Sequence, residues 1–117
     1  MGLLRWFTKN WANTTEPTHP DLQPLDLAMS IAETVARVKQ IATGPWNVES
    51  SDDVAGTIHL THRTGVFRFV DDIRLSLAAH SGGTRIHAES RSRIGKGDLG
   101  QNRRNVREIF TKMSRAQ

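Results

Sequence analysis

The sequence contains no cysteine and no tyrosine. Without cysteine it can form no disulfide, thiol nucleophile or Cys-based metal site, which fits a reducing compartment. Aromatics are scarce: three Trp and four Phe must supply the large pieces of any core. No long apolar run occurs. Leu3, Leu4, Trp6 and Phe7 are interrupted by Arg5 and followed by Lys9, well short of the roughly 20 apolar residues of a membrane span. The extended apolar stretch and small-residue cleavage site of a signal peptide are also missing. Gly2 follows Met1, but Trp6 stands where myristoylation needs Ser or Thr. A cytoplasmic, membrane-peripheral protein is expected, and 117 residues suit one domain.

What is present is charge, unevenly spread. Residues 85–117 carry nine basic and three acidic side chains, while residues 1–84 carry seven and nine. A basic C-terminal quarter suits an anionic lipid surface or an acidic partner. It also suits nucleic acid, but aromatic residues do not interleave the exposed strand face, so nucleic acid is not expected as a partner. At the other end, Leu3, Leu4, Phe7 and Trp11 share a face at helical spacing. Residues 1–21 are therefore read as an amphipathic helix followed by a linker, NTTEPTHPD, and 22–117 as the domain. Leu3, Leu4, Trp6, Phe7 and Trp11 form a candidate interaction surface.

Within the domain, hydrophobic period separates helices from strands. LQPLDL at 22–27 reads as a short strand, confined by Pro24 to an edge or a strand start. Ser30 with Glu33 forms a capping box, and Ile31, Val35, Val38 and Ile41 recur at helical spacing up to Gly44-Pro45. The middle alternates at period two: Trp46 and Val48, then Ile58 and Leu60, then Ile73, Leu75 and Leu77. A final strand carries Ile86, Ala88, Ser90, Ser92 and Ile94 inward. Turns are expected at Asp52-Asp53, Thr64-Gly65 and Ser81-Gly82-Gly83. A second helix follows Asp98, with Val106, Ile109, Phe110 and Met113 as its stripe. The order is strand, helix, four antiparallel strands, helix. This is an α+β domain with both helices packed on one face of the sheet, as in TATA-binding-protein-like or helix-grip arrangements.

The run RIGKGDLGQNRR contains a literal G-x-G-x-x-G at Gly95, Gly97 and Gly100. A dinucleotide site also needs a second parallel strand and an acidic residue about 20 residues on. Only the predicted helix follows Gly100, so no nucleotide cofactor is expected. Gly95 and Gly97 are expected to serve the sharp turn from strand to helix, and Gly100 to permit close packing of the first helical turn against the sheet.

FRFVDDIRLSL poses a different problem. If Ile73, Leu75 and Leu77 face inward, parity adds Phe67, Phe69 and Asp71. A buried carboxyl group must be paired. The candidate partners are Arg91, Arg93, Arg103 and Arg104, with Asn105 beside them. Three readings stand: an architectural Asp71–Arg lock, a polar pocket lined by Asp71, Arg103, Arg104 and Asn105, or a bulge that turns Asp71 and Asp72 outward. His59 and His62 fall on opposite strand faces and cannot share a metal easily, while His87 is expected near His59 on the wet face. No catalytic, metal or cofactor constellation emerges.

RTGVFRFVDDIRLSL followed by RIHAESRSRIGKGDLGQNRRNV resembles the bacterial family of domains of unknown function numbered 1499. The resemblance rests on an RFVDD strand (Arg68 to Asp72), on S-x-S-R-x-G (Ser90 to Gly95) and on D-x-G-x-N-R-R (Asp98 to Arg104). It covers roughly residues 22–115. It implies no activity, cofactor or catalytic residue. Many members look secreted or membrane-attached and carry a Cys-containing segment before the first strand, which this chain lacks.

The expected function is that of a non-enzymatic small binding module for an apolar or lipid-like ligand, lined by Trp46, Phe67, Phe69 and Phe110. The alternative is a peripheral membrane or protein interaction module. It would use the N-terminal Trp/Leu segment and a basic strip of Arg91, Arg93, Lys96, Arg104 and Arg107.

Overall fold

The Ser30–Glu33 pair starts a helix as its spacing requires. Ser30 Oγ accepts from the Glu33 amide at 3.1 Å, and Glu33 Oε1 accepts from the Ser30 amide at 3.1 Å. Such a cap stabilises a helix by about 1 kcal/mol. The helix, α1, spans Ile31–Ile41 and buries Thr34, Val35 and Val38. Gly44 follows in the left-handed region at φ +64° and turns the chain into the sheet.

The computed structural model describes residues 11–13, 22–65, 69–93 and 101–115. Its strands are β1 (Trp11–Asn13), β2 (Leu25–Leu27), β3 (Trp46–Asp52), β4 (Thr57–Thr64), β5 (Phe69–His80) and β6 (Gly83–Ser92). A second helix, α2, spans Gln101–Arg115. β3 to β6 form an antiparallel meander, and the early strands return to its far edge beside β6. β2 pairs along Thr84–Ile86 and β1 along Glu89–Arg91, so the two share one edge position end to end. Both helices pack on the same face, and Val35, Val38, Val106, Ile109 and Met113 meet Ile58, Leu60, Ile73, Leu75, Leu77 and Ile86 in one core. The expected α+β class holds, and so does the expected element order from β2 onward.

Turn chemistry sets the registers. His80 pairs with Gly83 across Ser81 (φ +49°) and Gly82 (φ +81°). Two left-handed residues are what a tight type I′ hairpin requires. Gly83 serves a different purpose: a Cβ there would lie 2.0 Å from the Leu27 carbonyl oxygen, so its bareness lets β2 close on β6.

Three expectations need correction. Trp11–Asn13 is extended and paired to β6, not the end of an amphipathic helix, and the sheet thus begins before the boundary expected at residue 22. The edge of β6 beyond β2 offers backbone donors and acceptors, and a strand satisfies them. Leu3, Leu4, Trp6 and Phe7 lie outside the described residues, as do the linker 14–21 and the Gly95–Gly100 turn with its Asp98 cap. Phe69 shares the parity of Asp71 but is 48% exposed. Among the described residues the β5–β6 register ends at Asp71–Ser92, with one further bond from the Arg93 amide to the Val70 carbonyl, so Phe69 lies at the end of the described ladder. Phe67 is outside the described residues. Finally, β5 runs through Asp71 and Asp72 with no register shift, which removes the bulge reading.

Candidate functional site

Polarity collects at one end of the helix-covered face. Trp46, His62, Asp71 and Ser92 are successive register partners across β3, β4, β5 and β6. The next row, Val48, Leu60, Ile73 and Ser90, is apolar except for the serine. α2 lies over this end and turns Asn102, Asn105 and Glu108 toward it. Their three-residue spacing keeps them on one helix face.

The side chains close into a network. Asn105 Nδ2 donates to Asp71 Oδ2 at 2.7 Å and to Ser90 Oγ at 3.3 Å. Ser90 Oγ donates to Asn102 Oδ1 at 2.6 Å, and Asn102 Nδ2 donates to Ser92 Oγ at 2.9 Å. Gln101 Nε2 donates to Asn105 Oδ1 at 2.8 Å. Asp71 is 2% exposed, and Ser90, Asn102 and Asn105 are wholly buried. Beside this network the Trp46 indole Nε1 donates to Glu108 Oε2. The Trp46 and His62 rings lie 4.4 Å apart between centroids, tilted by 58°. His62 Nδ1 is buried with no hydrogen-bond partner among the described residues. Burial pushes the His62 imidazole pKa down; Glu108 and Asp71 pull it back up, and Lys112 adds to the lowering.

The inward parity of Asp71 is therefore right, and its expected arginine partner is not. The amide of Asn105 takes that place. The arginines go elsewhere. Arg91 and Arg93 alternate with Ser90 and Ser92, so they lie on the opposite sheet face. Arg91 Nε donates to Glu89 at 2.7 Å. Arg93 grips Asp72 with two bonds of 2.9 and 3.0 Å. Arg104 Nη2 donates to Gln101 Oε1 at 3.0 Å. Arg103 is half-buried on α2, ahead of Asn105.

The outer sheet face is a lattice of such pairs. Asp72 also meets His59 Nε2 at 2.8 Å. The Arg93 hydrogen bonds, and secondarily that of His59, hold the Asp72 pKa down at about 2. Asp26 accepts two bonds from Arg85 at 2.8 and 2.9 Å, which lowers its pKa as well. His59 and His62 do fall on opposite faces, as parity requires. His87 is not beside His59, because β5 runs between their strands; the register partner of His87 is Ser76 and that of His59 is Arg74.

The proposed basic strip consequently divides. Arg91 and Arg93 belong to the outer sheet face, Lys96 is outside the described residues, and Arg104 and Arg107 belong to α2. On α2 they join Lys112 and Arg115 around an open groove completed by Glu108 and Thr111.

The sequence pattern places Asp71 and Asn105 together but gives Asn102 and Glu108 no part in the site, and it weighs His62 only as a metal ligand. Their signals were present. Asn102 and Asn105 prolong the stripe of Val106 and Ile109 at helical spacing, and His62 continues the parity of Ile58 and Leu60.

The residues of the three short motifs thus meet in space. Asp71 and Asp72 of RFVDD, Ser90, Ser92 and Arg93 of S-x-S-R, and Asn102 of N-R-R hold one end of the sheet to α2 and brace it from behind. No curated protein matches the chain. A family model described as a protein of unknown function (DUF1499) matches residues 7–113, from just before β1 to near the end of α2. On that match, the chain belongs to the DUF1499 family.

Proposed function

We propose that this protein is a non-enzymatic docking module that lays the outer face of α2 on an anionic membrane surface. The observation that carries this reading is the gathering of Arg104, Arg107, Lys112 and Arg115 around one open groove. The opposite face of the same helix holds Asn102, Asn105, Val106, Ile109 and Met113 in the domain. The helix is thereby fixed with its cations outward.

Magnitudes say what else is needed. A basic side chain near an anionic leaflet contributes about 1 kcal/mol. Four cations less Glu108 then give about 3 kcal/mol, a reversible attraction that needs a second anchor. Leu3, Leu4, Trp6 and Phe7 are suited to that part. β1 packs beside α2, so the segment that precedes it joins the domain next to the cationic helix. A cytoplasmic, membrane-peripheral location fits, because anionic lipid is concentrated on that leaflet. No helix of the described residues is long and apolar enough to cross a membrane. An internal cleft for an apolar ligand is the weaker reading: Trp46 is buried against His62 and Phe110 packs on the core.

Vesicle co-sedimentation tests the proposal. Phosphatidylcholine vesicles containing phosphatidylglycerol should bind the protein at low salt and release it at high salt, and pure phosphatidylcholine should not bind it. Arg107→Glu with Arg115→Glu should weaken binding by at least about tenfold, since two charges are reversed. Removal of residues 1–10, which keeps β1, should abolish binding at physiological salt. No binding to the anionic vesicles at low salt sinks the reading. Binding to an acidic protein in its place would favour a protein partner.

A further inference from the structure

His62 has no part in the docking face, and its surroundings are unusual. The residue is 6% exposed, and its Nδ1 is orphaned among the described residues. A buried polar atom without a partner calls for a physical reason. Each element around the ring contributes a definite neighbour. β3 supplies the Trp46 ring, which does not titrate. β5 supplies Asp71, its register partner. α2 supplies Glu108 and Lys112, whose charges act on it. Both carboxyl groups are already engaged, Asp71 by Asn105 and Glu108 by the Trp46 indole.

We infer that His62 is a proton-operated latch beneath α2: the neutral ring lets the helix close on the sheet, and a proton on the ring loosens the helix in mild acid. A neutral imidazole packs against Trp46 at little electrostatic cost. An imidazolium carries a charge and a second N–H into a buried site: Glu108 and Asp71 attract that charge, but the loss of hydration outweighs them and Lys112 repels it. The element that yields is α2. β3, β4 and β5 are held to one another by antiparallel backbone ladders, shifted in register only between Val48 and Ser50, whereas among the described residues α2 is tied to this end by side-chain bonds.

The sign follows from the direction of the shift. The folded-state pKa of His62 lies below its unfolded value of about 6.5. Its contribution to closure is full above that value and declines as pH falls toward the folded pKa. Over that window each pH unit shifts the closed-to-open ratio about tenfold. The inference goes beyond membrane docking, because it concerns the inner seat of α2. Its test uses no lipid, so either idea can fail alone.

The test pairs two NMR measurements on the whole protein from about pH 7 to about pH 5, the range in which histidine ordinarily titrates. One follows the imidazole resonances, and the other follows amide hydrogen exchange corrected for its intrinsic pH dependence. In the wild type, His62 should remain neutral where an ordinary histidine gains its proton. Protection of α2 amides should fall about tenfold per pH unit below 6.5 while β5 and β6 stay protected. In His62→Gln and His62→Phe the loss should vanish, and in His59→Gln, on the opposite face, it should persist. Three results would overturn the latch: ordinary titration of His62 with α2 protection unchanged, equal loss in the His62 variants, or parallel loss across the strands. If neither His62 variant folds, the two wild-type measurements decide by themselves.

Discussion

Asn105 of α2 donates its side-chain amide to the buried carboxyl group of Asp71 on β5, at 2.7 Å. A neutral amide stands where an arginine fork was expected. Arg103 and Arg104 immediately precede Asn105, and successive helical residues point about 100° apart, so neither shares its inward direction. The same amide reaches Ser90, and Asn102 carries the chain of bonds on to Ser92. A satisfied buried network of this kind sets the angle and depth at which the helix seats.

The amide lock makes asymmetric predictions. Asn105→Ala leaves the Asp71 carboxyl buried without its donor and should cost about 3 kcal/mol in urea unfolding. Asp71→Asn keeps an oxygen that can accept from Asn105 and should cost less, about 1 kcal/mol. An arginine lock would have made Asp71→Asn the severe change. If Asp71→Asn proves the costlier of the two, the amide is not the principal partner of Asp71.

The Asp72 cluster predicts an acid limb in stability. Its folded pKa, about 2, is depressed below the usual 3.8 by Arg93 first and His59 second. A depressed carboxylate stabilises fully above its unfolded pKa and loses that contribution as pH falls from about 3.8 to about 2. Arg93 is half exposed, so solvent screening reduces the effect to about 1 kcal/mol. Asp72→Asn should flatten this limb in pH-dependent denaturation, and an unchanged limb would assign it to other carboxylates.

Gly83 tests the return of β2. An alanine Cβ would meet the Leu27 carbonyl oxygen at 2.0 Å, and that atom is backbone and cannot swing aside. Gly83→Ala should destabilise by roughly 2 kcal/mol and speed exchange at amides of the β2–β6 pairing ahead of the β4–β5 ladder. Gly82→Ala has open space around its Cβ and strains only the φ of +81°, so it should cost less, about 1 kcal/mol.

The Trp46–Glu108 bond ties the far edge of the sheet to α2. Trp46→Phe keeps a ring against His62 but removes the indole donor, and should cost about 2 kcal/mol by thermal unfolding. Glu108→Gln keeps an oxygen acceptor and should cost under about 1 kcal/mol. Equal losses for the two would mean that the carboxylate charge, rather than the hydrogen bond, holds this edge.

Some of this architecture is written locally. The Ser30–Glu33 box starts α1 because capping involves atoms three residues apart. Alternation in IRLSL and IHAES assigns strand faces because successive side chains point opposite ways. Ser81-Gly82 sets a hairpin because its left-handed turn is a property of two residues. Burial of Asp71 followed from the same parity.

The identity of its partner did not follow, nor did the seat of His62. Whether Asn105 or an arginine reaches Asp71 depends on the rotation and depth of α2 against β5, and those depend on Val106, Ile109 and Met113 meeting strands far away in the chain. Trp11–Asn13 shows the same limit. Its local pattern suited a helix, but the unpaired edge of β6, some eighty residues further along the chain, offered ladder bonds that only an extended segment could fill. The separation of the basic residues into two surfaces has a like cause: β6 turns Arg91 and Arg93 to one side of the sheet, while α2 packs with Arg104 and Arg107 on the other. Face and turn are decided between neighbours, whereas partner and surface are decided by which distant elements pack together.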